Sequence, residues 1–172
     1  MQPLRETANY IIDTTTLKTR ELKNRLVEIF SGESQSNAMR VELSSFGFKR
    51  GLPRQADLVY DVRFLPNPFY IKGLGHHTGL DQDVKEFVLG NPVTQEFVSK
   101  MEDLLAFLMP HYQEEGKHRL AIAIGCTGGA HRSVAIAERL GEFLRSKDYQ
   151  VTVTHRDLAL EQAHWKSSQE AE

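Results

Sequence analysis

A single cysteine in 172 residues excludes an internal disulfide and fits a reducing compartment. No apolar run approaches the roughly 20 residues needed to cross a bilayer, and no signal peptide opens the chain. The expectation is a soluble, cytoplasmic protein with no membrane partner. No Gly-x-x-x-x-Gly-Lys-Ser/Thr run occurs, so an ATP or GTP site of the P-loop type is not expected in these residues. His-Glu-x-x-His and Cys-x-x-Cys are missing as well, and the 7 histidines are scattered, so no metal site is expected. Gly73-Leu74-Gly75 lacks the further glycine and the preceding strand of a dinucleotide fingerprint. Charge of one sign is not in excess: 21 Lys and Arg against 23 Asp and Glu leave −2, which argues against bulk attraction to nucleic acid but permits a local patch. Aromatic content is ordinary and no RNA-reading motif appears.

What remains is the composition of one globular domain with an appendage, 40% apolar and 26% charged. Its most informative stretch is residues 120–137. Leu120 to Ile124 is a short apolar run that suits a strand buried on both faces. Gly125, Gly128 and Gly129 permit a tight turn with close backbone approach to a ligand. Beyond His131 the spacing turns helical, with Ile136, Ala137, Leu140, Phe143 and Leu144 in one stripe. Strand, glycine-rich turn and helix start together aim free N–H groups at an anion, and the helix dipole adds partial positive charge. A purely steric turn is the plain alternative. His131 and Arg132 tell against it, because cations in a first turn oppose the dipole unless an anion offsets them. Ser133 adds a hydroxyl.

The rest of the chain reads as α/β. Tyr10 to Asp13 predicts a strand, followed by a helix capped by Thr19, with residues 32–38 as a polar linker and residues 1–31 as the remnant of a preceding domain. Strands are predicted at about 39–46, 56–64 and 150–154. Asp81 is expected to cap a short helix. Asn91-Pro92 opens a longer one, with a core stripe of Phe97, Met101, Leu104 and Leu108, ended by Pro110. The α/β domain is placed at 39–165, with a fraying tail at 166–172. Helices between strands imply a mostly parallel sheet flanked by helices, whose ligands bind beyond the carboxyl ends of the strands. Each predicted strand end carries cations: Lys49 and Arg50, Arg63, His131 and Arg132, His155 and Arg156. An electropositive crevice is expected there.

Four runs, Asp61–Pro68, Thr78–Asp81, Gly125–Ser133 and His155–Asp157, together with Ser45–Gly51, closely resemble the bacterial RapZ/YvcJ family. The resemblance implies a phosphofructokinase-like C-terminal domain, preceded in the family by a P-loop domain to which ATP or GTP would belong. It implies binding of a phosphorylated amino sugar such as glucosamine 6-phosphate, or of a nucleotide-sugar, and of small RNA as an adaptor for a ribonuclease. A homo-oligomer without catalytic residues of its own is expected. Carried over by position, Thr127, Gly128, Gly129, His131 and Arg132 would grip the phosphate beside Ser133. Asp61 and Asn67 would meet hydroxyl or amine groups. Lys49, Arg50, Arg63, His155 and Arg156 would make outer contacts to ligand or RNA, whose affinity should then fall steeply with salt. Some members have histidine after Pro-Asn-Pro, where this chain has Phe69.

Cys126 to Ser133 also matches the Cys-x-x-Gly-x-x-Arg-Ser loop of cysteine-dependent phosphatases. That chemistry needs a thiolate nucleophile and a leaving-group acid, for which Asp61 or Asp81 would have to serve. A small, half-buried residue at a strand end is the simpler account of Cys126.

Overall fold

The computed structural model describes residues 7–19, 21, 22, 25, 26, 29 and 39–169, and the chain divides into compact units at Asn37/Ala38. In the first unit, the strand expected at Tyr10–Asp13 is not formed. Asp13 instead accepts hydrogen bonds from the amide and hydroxyl of Thr15, a local turn that competes with extension. The described residues from Thr19 to Ile29 are helical. The expected linker at 32–38 lies outside the described residues.

The second unit is an α/β fold. Its elements are β1 (Arg40–Gly47), a 3-10 turn (Phe48–Arg50), β2 (Leu58–Asp61), a second 3-10 turn (Pro68–Tyr70), α1 (Gln82–Leu89), α2 (Pro92–Glu114), β3 (Arg119–Cys126), α3 (Arg132–Ser146), β4 (Gln150–His155) and α4 (Leu158–Gln169). The strands form one sheet of 4 in the order β2-β3-β1-β4, every pairing parallel. β3 is central, and it is the strand whose sequence is apolar on both faces; from Leu120 to Cys126 it is buried. α3 packs across β1, β3 and β4 and brings Ile136, Ala137, Leu140 and Leu144 against Val41 and Leu43. Glu42, Thr152 and Thr154 face the other way and are exposed.

Several local expectations need correction. The strand expected at 56–64 is confined to Leu58–Asp61, and Asp81 precedes α1 but its carboxylate accepts from the Thr78 amide and hydroxyl and does not cap the helix. α2 begins as read, with Asn91 accepting from the Val93 amide and Pro92 in the first turn, but it does not stop at Pro110. It continues to Glu114, because the carbonyl that Pro110 leaves without a donor belongs to Ala106, on the exposed side of the helix. Its buried stripe is Thr94, Val98, Met101, Leu105 and Met109, so Leu104 turns outward. The residues after Asp157, for which no element is predicted, form the helix α4, which buries Glu161 and Trp165 and runs on to Gln169, into the tail expected to fray at 166–172.

Parallel pairing brings every strand end to one edge. Gly47 is level with Cys126, Asp61 with Gly125, and Ser45 with His155. Gly47 matters sterically: a Cβ there would lie 2.3 Å from the Gly128 carbonyl oxygen, so β1 and the loop after β3 touch through bare backbone. Gly129 adopts φ +89°, a left-handed conformation that closes the loop before α3.

Candidate functional site

Apart from Thr94, the buried polar and charged side chains (Ser45, Thr78, His131, Arg132, Ser133, Asp157 and Glu161) collect at the carboxyl edge. Buried polar groups are costly unless paired, so their concentration at one place marks that place as more than packing.

At the centre lies the loop 126–131. Cys126 is 2% exposed; its Sγ receives the Gly129 amide at 3.3 Å and lies 3.1 Å from the Ser133 hydroxyl. His131 begins α3 without a side-chain cap, so first-turn N–H groups of that helix have no acceptor inside it. The loop is buttressed by the Gly79 amide, which donates to the Ala130 carbonyl at 2.7 Å, and by the Lys49 amide, which donates to Thr127 O at 3.3 Å.

Arg132 is 4% exposed. Its Nη1 donates to the carbonyls of Arg63 (2.8 Å) and Leu65 (2.9 Å), and its Nη2 to Thr127 Oγ1 (3.3 Å). Its Nε has no acceptor, and among the described residues no carboxylate forms an ion pair with it. The guanidinium is thus bonded to neutral oxygens alone, with Asp61 near enough to feel its charge but not bonded to it. His131, by contrast, is pushed below the ordinary histidine range by burial, against the pull of the Gly75 carbonyl. Its Nε2 lies 3.2 Å from Gly75 O, and because a carbonyl only accepts, the proton is on that nitrogen.

The outer cations are all paired. Lys49 Nζ and Arg50 Nη1 both lie 2.5 Å from Glu161 Oε1. Arg50 also reaches Gly128 O at 3.4 Å. Arg156 forks onto Asp157 and donates to Gly51 O, while the Gly47 amide donates to Asp157 Oδ2 at 2.7 Å. Arg63 clasps Asp61 in a bidentate pair and lies over the Phe48 ring, 4.1 Å from its centroid. His155 is turned inward between the Ser45 hydroxyl and Glu138. Asn67 caps the turn Pro68–Tyr70 by accepting from the Phe69 amide at 3.3 Å. The edge therefore carries carboxylates of its own among the predicted cations. Burial pushes Asp157 and Glu161 upward, but Arg156 with the Gly47 amide, and Lys49 with Arg50, outweigh it and hold both ionised.

The structure thus brings Thr127–Ser133, Lys49, Arg50 and the backbone of 63–65 into one crevice, with Asp61 and Arg63 on its rim. Sequence reading missed Glu161 and Trp165, and left Asp157 out of the site. The signal was the four-residue spacing 157, 161, 165, which puts all three on one helical face. Trp165 is 8% exposed, its ring 5.3 Å from that of His131 and 5.8 Å from that of His76. Hollows of about 330 Å³ between α2 and α3 and about 280 Å³ against β1, β3 and β4 are not lined by any residue of loop 126–133, although Arg156 lines the second. Among the described residues no cluster of three metal-ligating side chains occurs, and no helix is long and apolar enough to cross a membrane.

A family model described as the RapZ C-terminal domain matches residues 39–159. Curated proteins called nucleotide-binding protein are similar to this chain. One from Caldicellulosiruptor saccharolyticus is 52% identical over 158 residues, 92% of this chain and 54% of that protein. Another from Bacillus cytotoxicus is 52% identical over 157 residues, 91% of this chain and 53% of that protein. A third, from Moorella thermoacetica, is 52% identical over 158 residues, 92% of this chain and 52% of that protein. The chain spans about half the length of the curated relatives it matches. The runs that carry the family resemblance in the sequence all fall inside the matched residues.

Proposed function

The chain belongs to the RapZ C-terminal domain family, and on that footing we propose that its α/β unit is a regulatory sensor binding a phosphorylated amino sugar, glucosamine 6-phosphate or a close relative, without chemistry of its own. The observation that carries this reading is Arg132: buried, charged, with no carboxylate partner and with Nε unsatisfied, beside a loop whose helix start has amides to spare. A phosphate oxygen supplies what that arrangement lacks. Asp61, held ionised by Arg63, is the carboxylate on the rim suited to an ammonium substituent.

Two features favour binding over a cysteine-dependent phosphatase. The Cys126 side chain is buried, so its sulfur is not presented at the surface for attack on phosphorus. Both candidate acids are held below the ordinary carboxylate range, Asp61 by Arg63 and Asp81 by the Thr78 amide and hydroxyl, so neither carries a proton to give near neutral pH.

Small RNA and a ribonuclease belong to the same proposal as partners of the longer protein, as does assembly into a homo-oligomer. For RNA the support is the exposed rim beside Arg63, where Phe64, Phe69 and Tyr70 offer stacking surfaces.

The test is isothermal titration of glucosamine 6-phosphate, UDP-N-acetylglucosamine and inorganic phosphate into wild type, Arg132→Ala, Arg132→Lys and Cys126→Ser. Removing one partner of a buried charged contact costs 2 kcal/mol or more, so Arg132→Ala should weaken binding by about thirtyfold or more. Arg132→Lys, which keeps the charge and loses the fork, should fall between, and Cys126→Ser should bind as wild type. Unchanged affinity in a folded Arg132→Ala protein would overturn the reading, as would p-nitrophenyl phosphate turnover that disappears in Cys126→Ser.

A further inference from the structure

The helix α4 leans its charged face into the crevice. Asp157 is tied to β1 through the Gly47 amide, Glu161 lies one turn on, and Trp165 lies a further turn on against His131. Glu161 is 5% exposed, and its Oε1 holds Lys49 and Arg50 together. Its other oxygen faces the loop so closely that a Cβ on Gly128 would come within 2.8 Å of it. The crevice thus has two cation positions of different standing. The inner one, Arg132, has no carboxylate bonded to it among the described residues and feels only the field of Asp61 on the rim. The outer one, Lys49 with Arg50, already has a protein carboxylate in the place a second acidic group of a ligand would take.

We infer that Glu161 is the specificity-determining residue of this site: it restricts the glycine-rich loop to ligands bearing one phosphate and turns away diphosphates, whose second phosphate would meet its carboxylate. The inference rests on the reading of the loop as a phosphate site. Its physical basis is exclusion by like charge, a device that discriminates without adding any contact to the accepted ligand. Anchoring by Asp157 and by the packed indole of Trp165 is what stops the carboxylate from swinging aside. Lys49 and Arg50 keep it ionised although it is buried.

Titration calorimetry of the whole chain with glucosamine 6-phosphate and with pyrophosphate tests this. Wild type should prefer the monophosphate by at least about tenfold. Glu161→Gln, which keeps the shape and removes the charge, should raise pyrophosphate affinity by at least about tenfold and monophosphate affinity by less than about threefold. Adding Lys49→Ala to Glu161→Gln should take most of that gain away, a reversal that a merely structural glutamate would not produce. If the glutamine variant does not fold, Glu161→Asp, which draws the charge back by one methylene, should move pyrophosphate affinity the same way by a smaller factor. Should wild type bind the monophosphate through Arg132 while no folded Glu161 variant gains selectively for pyrophosphate, this inference alone falls. If wild type binds neither compound, the phosphate site falls with it.

Discussion

His131 and Arg132 are neighbours in the chain, and burial treats them oppositely. A guanidinium cannot shed its proton, so Arg132 stays charged and must be served by the Arg63 and Leu65 carbonyls. An imidazole can, and burial lowers the His131 pKa. That direction fixes how stability depends on pH. When a histidine's folded pKa lies below its unfolded value of about 6.5, the unfolded chain binds the proton more readily, so stability rises with pH between the two values. The contribution of His131 is complete above about pH 6.5 and is lost as pH falls below it. Asp157 and Glu161, lowered from the ordinary range, lose theirs only on further acidification, below their unfolded values near 4. Thermal melts should therefore show Tm declining already between about pH 6.5 and 5, before the carboxylate-driven fall. His131→Gln should lower Tm at pH 7.5 through lost contact with Trp165 yet flatten the decline above pH 5. An equally steep decline in that variant would assign it to another group.

At the scale of elements, the buried face of α2 gives the sharpest test of packing. The helix is rich in apolar residues on more than one side: Phe97, Val98, Met101, Leu104, Leu105, Phe107, Leu108 and Met109 fall within little more than three turns. Periodicity detects such a helix but cannot phase it, since several stripes fit equally well. The fold decides: Leu105 is 0% exposed and Leu104 40%. Leu105→Ala should therefore cost about 2–5 kcal/mol in urea unfolding and Leu104→Ala less than about 1 kcal/mol. A reversal of that order would restore the stripe first read from the sequence. The same contrast explains what was legible. β3, the glycine turn and the start of α3 stand out because apolar run, glycines and helical spacing follow one another without ambiguity, and β4 ends within a residue of where it was read. α4 was not legible as a docked element, because Asp157 and Glu161 dock through charge, and a search for apolar periodicity passes over carboxylates. For that reason the cations at the strand ends were visible from the sequence, as was Asp61, while the counter-charges Asp157 and Glu161 were not.

Those counter-charges change what the whole molecule can offer to a polyanion. Four cations reach the rim or outer wall of the crevice, Lys49, Arg50, Arg63 and Arg156, and three carboxylates, Asp61, Asp157 and Glu161, are bonded to them. Read as free charges, the four would release counterions from four RNA phosphates, and log K would fall against log salt with a slope of about −2.8, at about −0.7 per phosphate on a single strand. Read as the pairs in which they are held, they leave one net positive charge and a slope nearer −0.7. Breaking the pairs would recover the steeper slope, but only by stranding Glu161 and Asp157, each almost wholly buried, without a partner. That cost exceeds the gain of an exposed phosphate contact, so the pairs should persist in any RNA complex. Fluorescence anisotropy of a labelled single-stranded RNA between 50 and 300 mM KCl should accordingly give a slope shallower than about −1.5 for wild type, steepening in Glu161→Gln as Lys49 and Arg50 are released. A wild-type slope near −3, unchanged by that substitution, would mean that RNA is held by a surface other than the carboxyl edge of the sheet.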